Sequence, residues 1–156
     1  MFNIMIITGT KKHIPGCIEA VKNSELGQAY NRPFDYLQAC FTEGIKSKEI
    51  YVAVNEDSVC LGFIWIVPKG VFCEFPYCKI IAVRKECRSQ GIGTALLQHF
   101  ESLGFANSTK IFINVSDFNM NAKKLYENLG YKEYGLVPDL FKTGISEYIM
   151  MKARGY

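Results

Sequence analysis

Histidine is nearly absent from this sequence: His13 and His99 are the only two among 156 residues. The six cysteines, Cys17, Cys40, Cys60, Cys73, Cys78 and Cys87, form no CxxC pair. A zinc site therefore has no ligand set at the usual spacing, and no metal is expected. No run of Lys and Arg stands out, and the formal net charge is only +3, which argues against a nucleic-acid partner. A mildly basic surface still attracts a small polyanion. No apolar run is long enough to cross a bilayer, so no membrane partner is expected. The opening MFNIMIITGTKKH lacks a basic lead and a cleavage site, so no secretory signal is expected. Two phosphate signatures are missing as well. GxxxxGK followed by Ser or Thr does not occur, and Leu96 stands where GxGxxG needs its third glycine.

What is present is ordinary for a folded domain. Apolar residues make up 49% and charged residues 21%, so one domain over 1–156 with a sizeable core is expected. Cysteines in settings such as Val59-Cys60-Leu61 read as reduced, mostly buried thiols of a cytoplasmic protein.

Patterning predicts alternating strands and helices. FNIMIIT (2–8) reads as a first strand. Thr10 is placed to cap a helix over 11–23, and Pro33 suits the first turn of a second, with Phe34, Leu37, Phe41 and Ile45 at helical spacing. EIYVAV and VCLGFIWIV around Asn55-Glu56-Asp57-Ser58 read as a hairpin, ended by Pro68 and Gly70. FPYCKIIAV (75–83) is a strand whose last part is continuously apolar, as in a sheet centre. A helix follows on Ile92, Leu96, Leu97, Phe100 and Leu103, with Gly104 as its stop. KIFINV (110–115) is a strand and 119–129 a helix closed by Gly130. YKEYGLV (131–137) and SEYIMMK (146–152) form a hairpin joined by a loop, PDLFKTGI. The order β-α-α-β-β-β-α-β-α-β-β describes an α/β (α+β) layer structure, about seven strands in a mixed sheet flanked by about four helices.

CRSQGIGTAL (87–96) carries the chemistry. It lies between a buried strand and a long helix. The first amides of a helix point outward without intrahelical partners and carry the positive end of its dipole. Gly91 and Gly93 leave the main chain open, and Arg88 and Thr94 add donors. Such a turn can seat a pyrophosphate. It is equally a plain turn that permits close helix packing.

Arg88-Ser89-Gln90-Gly91-Ile92-Gly93 resembles the Q/R-x-x-G-x-G/A signature of the GNAT acetyltransferase superfamily. A second stretch, Asn119 to Tyr131 (NMNAKKLYENLGY), resembles that family's N-x-x-A-x-x-L-Y-E-x-x-G-F/Y segment. The element order is similar to the GNAT fold, and the resemblance covers most of the chain.

The resemblance implies a single GNAT-like domain that moves an acetyl group from acetyl-CoA to a primary amine of a small molecule or protein. The transfer is by direct attack in a ternary complex. Ile81, Ala82 and Val83 would bond the pantetheine arm as an added strand, and a main-chain N–H such as that of Ile81 would polarise the thioester oxygen. The amides of Arg88, Ser89, Gln90, Gly91, Ile92, Gly93 and Thr94 would hold the pyrophosphate. Asn119 matches a cofactor-contacting asparagine, a position that also suits a helix cap. Tyr126 matches the general acid for the leaving thiolate, against an ordinary reading as a core aromatic. For the general base, Glu74 is the first candidate and Glu147 the other; either is also an ordinary strand-end charge. The acceptor region implied by the family corresponds here to 30–36 and 137–144. The alternative to an enzyme is an acyl-CoA-binding sensor or interaction module without turnover. The terminal hairpin offers an edge for pairing into a homodimer.

Overall fold

The computed structural model describes residues 3–155, so Phe2 of the expected first strand lies outside the described residues. Among them are seven strands and five α-helices: β1 (Met5–Thr8), α1 (Ile14–Lys22), α2 (Glu25–Tyr30), α3 (Phe34–Lys46), β2 (Ile50–Val54), β3 (Cys60–Val71), β4 (Phe75–Val83), α4 (Ile92–Asn107), β5 (Lys110–Ser116), α5 (Met120–Asn128), β6 (Lys132–Lys142) and β7 (Ile145–Ala153). Main-chain pairing orders the strands β1-β2-β3-β4-β5-β7-β6. The sheet is mixed: β4 and β5 run parallel, whereas β1–β2, β2–β3, β5–β7 and β6–β7 are antiparallel.

Contacts divide the chain into two compact units. The first holds 1–66 and 80–100, the second 67–79 and 101–156. In the first, α1 and α3 present Ile14, Ile18, Val21, Leu37 and Phe41 to a core that includes Ile50, Val52, Phe63 and Trp65. Phe41 meets Phe63 edge-on with ring centroids 5.1 Å apart. Burying a side chain of this size contributes about 1.5–3 kcal/mol. In the second unit, Ile111, Ile113 and Val115 of β5 are buried with Tyr126, Tyr131 and Met150. Alternation along β5 leaves Phe112, Asn114 and Ser116 on the other face.

Several boundaries differ from the expectation, each for a physical reason. Glu25–Tyr30 is an additional helix; Ser24 accepts from the Gly27 N–H at 3.0 Å, a side-chain cap. The helix expected from residue 11 begins as α1 at Ile14, after a single tight turn over Lys11–His13. Strand β3 continues through Pro68 and Gly70 to Val71. A Cβ on Gly70 would lie 2.7 Å from that of Tyr77, so this glycine serves strand packing and not a stop. Helix α4 likewise passes Gly104 and ends at Asn107. A Cβ at Gly104 would sit 2.5 Å from Ile111, so glycine lets the helix approach β5. Most of the loop expected over 138–145 is strand. Asp139 takes φ 53° within an irregular register, and the turn is reduced to Thr143-Gly144.

Candidate functional site

The turn between β4 and α4 belongs to the first unit. Its start is pinned by Arg84, whose N–H donates to Leu61 O at 2.9 Å. The Arg84 guanidinium reaches Glu19 at 3.0 Å and Glu86 at 2.8 Å. Arg88 braces the middle: Nε donates to Val83 O at 3.2 Å and Nη2 to Asn23 O at 2.9 Å. Two of the five N–H donors of Arg88 thus bond carbonyls of its own chain. Ser89 at φ 60° and Gly91 at φ 81° take the left-handed conformation, which turns the peptide planes of the loop. A Cβ at Gly91 would meet nothing within 4 Å. This glycine is favoured by its backbone angle, not by packing.

Main-chain bonds in the turn run from Cys87 N–H to Arg84 O, Arg88 N–H to Lys85 O and Ala95 N–H to Gly91 O. Among the described residues, the amides of Ser89 to Thr94 donate to no main-chain carbonyl, and the Thr94 hydroxyl has no hydrogen-bond partner. The turn is a row of outward donors at the positive end of the sixteen-residue helix α4. It can hold a pyrophosphate with few side chains involved.

Strand β4 ends beside this turn in the same unit. Ala82 is buried, and Ile81 and Val83 are half-buried. A Cβ at Gly62 of β3 would lie 2.8 Å from Ala82 O. Glycine there lets β3 follow β4 closely.

The second unit holds two further groups of interest. Tyr126 on α5 is 5% exposed. Burial, with Cys78 nearby, pushes its phenol far above the ordinary value of 10.0, so it stays protonated at neutral pH. Its hydroxyl has no hydrogen-bond partner among the described residues, and its ring lies 6.1 Å from that of Tyr131. Asn119 occupies the cap position of α5 yet makes no side-chain capping bond.

The other group is a line of polar side chains on the opposite face. Glu147 is 1% exposed. It accepts from Ser116 Oγ at 2.7 Å and from Asn114 Nδ2 at 3.1 Å. Asn114 Oδ1 in turn accepts from the Tyr77 hydroxyl. Ser116 and Glu147 are direct cross-strand partners in the β5–β7 ladder. Burial, then Cys78 and Glu147, raises the Tyr77 phenol above its ordinary 10.0. The parallel β4–β5 ladder in this unit comprises Tyr77↔Phe112 and Cys78↔Ile113. On β5, pairing with β7 runs on to Ser116.

The two carboxylates considered from sequence are placed very differently. Glu74 is exposed in the β3–β4 turn, beside Phe72 and Cys73, which hold φ 55° and 56°. Glu147 is buried among donors. Sequence reasoning singled out Glu147 but not Tyr77, Asn114 or Ser116. The available signal was the period of two: Asn114 and Ser116 are polar residues on alternate positions of an apolar strand. All six cysteines are free thiols, with Cys73 exposed. No group of metal-ligating side chains occurs among the described residues, and no helix of those residues is long and apolar enough to cross a membrane.

Comparison with known proteins adds to this geometry. Residues 46–133 match the model of the acetyltransferase (GNAT) domain. An uncharacterized N-acetyltransferase of Methanocaldococcus jannaschii is 38% identical over 76 residues, which are 47% of this chain and 49% of that protein. The match thus spans about half of that relative's length. Among solved structures, Ard1 from Thermoplasma volcanium superposes with a TM-score of 0.82 at 18% identity, covering 98% of this chain and 99% of that one. The ribosomal-protein-S18-alanine N-acetyltransferase from Escherichia coli superposes with a TM-score of 0.76 at 18% identity, over 99% and 96% of the two chains. At these identities the superpositions establish the shared fold.

Proposed function

Since the chain belongs to the GNAT acetyltransferase family, we propose that it transfers an acetyl group from acetyl-CoA to a primary amine, by direct attack in a ternary complex. The observation that carries this reading is the β4–α4 turn. Its amides from Ser89 to Thr94 are free of main-chain carbonyls, and the space above Gly91 is open. A pyrophosphate is the ligand such a row of donors suits. In this reading the main chain of Ile81, Ala82 and Val83 bonds the pantetheine arm. Asn119, having no cap bond to make, contacts the cofactor.

Tyr126 acts on the leaving group. As the amine nitrogen bonds to the acetyl carbon, the carbon–sulfur bond breaks and thiolate departs. The phenol donates its proton to that sulfur and regains one from solvent, where the proton lost by the nitrogen goes. A phenol held protonated by burial suits a donor. Glu74, exposed in its turn, removes the ammonium proton and passes it to solvent. Six free thiols suit a reducing compartment, so the reaction is assigned to the cytoplasm.

The test is release of free CoA thiol from acetyl-CoA in the presence of a panel of primary amines, with mass spectrometry of the acetylated product. Tyr126→Phe should slow turnover by about a hundredfold while acetyl-CoA affinity stays within about twofold. Equal rates in both proteins would remove Tyr126 from the mechanism. Saturable CoA binding without thiol release on any amine would leave the binding-module reading in its place.

A further inference from the structure

The line Glu147–Asn114–Tyr77, buried at Glu147 and half-buried at the other two, has a direction. A carboxylate accepts hydrogen bonds and cannot donate them. Glu147 therefore requires the NH2 end of Asn114, at 3.1 Å, and the Ser116 hydroxyl, at 2.7 Å, as donors. With its NH2 turned to Glu147, Asn114 presents its carbonyl oxygen to Tyr77. That oxygen accepts the Tyr77 O–H. The phenolic hydrogen is thereby consumed, and what Tyr77 Oη has left is lone pairs. Among the described residues Asn114 is the one hydrogen-bond partner of this oxygen. Tyr77 is half-buried, not fully enclosed.

Its placement in the sheet matters equally. Tyr77 and Cys78 are consecutive on β4 and face opposite sides. The Cys78 side carries Pro76 and Ile111, against which Gly104 of α4 packs, and Tyr126 shares these buried surroundings. Tyr77, Asn114 and Glu147 lie on the other side. The proposed acid for the thiolate and this acceptor oxygen thus belong to opposite faces of the same strands.

We propose that Tyr77 Oη is the contact for the incoming nucleophile, accepting an N–H of the amine, and that Asn114, Ser116 and Glu147 are positioning residues that fix its polarity. The site then selects an acceptor that has a hydrogen to give, an amine or ammonium group. It disfavours one that presents a carbonyl or carboxylate at that point. The amine approaches from the Tyr77 face as the thiolate leaves toward the Tyr126 face. This deepens the acetyltransferase reading above and rests on it.

The experiment uses the full chain with acetyl-CoA and the amine panel, recording kcat, KM for the amine and Kd for acetyl-CoA. Tyr77→Phe should lower kcat/KM for the amine by about ten- to a hundredfold, with acetyl-CoA Kd unchanged within about twofold. Glu147→Gln lets its amide donate to Asn114, which can then turn round and present NH2 to Tyr77; a loss of about tenfold in kcat/KM is expected. An unchanged kcat/KM in Tyr77→Phe overturns the proposal while leaving the acetyltransferase reading intact. Wild-type protein inactive on every amine defeats that reading instead. In that case 3-fluorotyrosine at position 77 decides: its fluorine resonance should shift on adding an alkylammonium salt, and a resonance that does not respond overturns the proposal.

Discussion

The β4–α4 turn and the Tyr77–Glu147 line are both suited to binding, but they are built from different material. The turn offers main-chain amides, and its side chains face away to brace it: Arg88 on Val83 O and Asn23 O, Arg84 on Glu19 and Glu86. The polar line is made of side chains, with a fully buried carboxylate at one end and a half-buried phenol at the other. A main-chain seat is sensitive to what is added above it and to backbone angle. A side-chain line is sensitive to what is taken from it. The first recognises an anion through main-chain donors at the positive end of a helix. The second fixes the direction of one hydrogen bond.

Substitutions that exchange these sensitivities test the contrast. Gly91→Glu adds a carboxylate at φ 81° in the open space. It should weaken acetyl-CoA binding by about a thousandfold in calorimetry, since like charges meet there, and an affinity close to wild type would break the comparison. Glu147→Ala removes the acceptor from two donors, buried Ser116 and half-buried Asn114. It should cost about 2–4 kcal/mol of stability by urea denaturation, and a loss below that of a surface alanine would contradict the polar line. Ser116→Ala takes away one of the two donors and should cost about 1 kcal/mol. Arg88→Ala loosens the brace without touching the amides, so acetyl-CoA affinity should fall only about three- to tenfold. A loss as large as that of Gly91→Glu would mean the guanidinium itself binds the anion.

The smallest effect concerns His13. It is 4% exposed, and its Nδ1 accepts the Thr10 N–H at 3.0 Å. Desolvation, then Lys12, lowers its pKa below 6.5. The folded state thus holds the neutral ring more firmly than the unfolded state does. Its contribution to stability is complete above about 6.5 and declines as pH falls below that value. Urea midpoints measured at stepwise lower pH should fall less steeply for His13→Asn than for wild type.

Much of the fold was legible because apolar periodicity and glycine punctuation reflect local physics. The β4 strand, the start of α4 and the Gly130 end of α5 follow from such signals, and Gly130 indeed takes φ 96°. Gly70 and Gly104 misled for the same reason. Both read as stops, yet both are there for close approach to Tyr77 and Ile111, contacts distant in sequence. The site divides similarly. A turn of consecutive residues, 88–94, shows itself in a linear motif. The polar line joins residues 77, 114, 116 and 147 from three strands, and nothing in the chain's order announces that they meet.

The central claim, that the β4–α4 turn seats acetyl-CoA, is tested most directly by titrating the wild-type protein with acetyl-CoA in a calorimeter. Saturable heat with one ligand per chain is the predicted result. A folded protein that gives no binding signal at any attainable ligand concentration would contradict it.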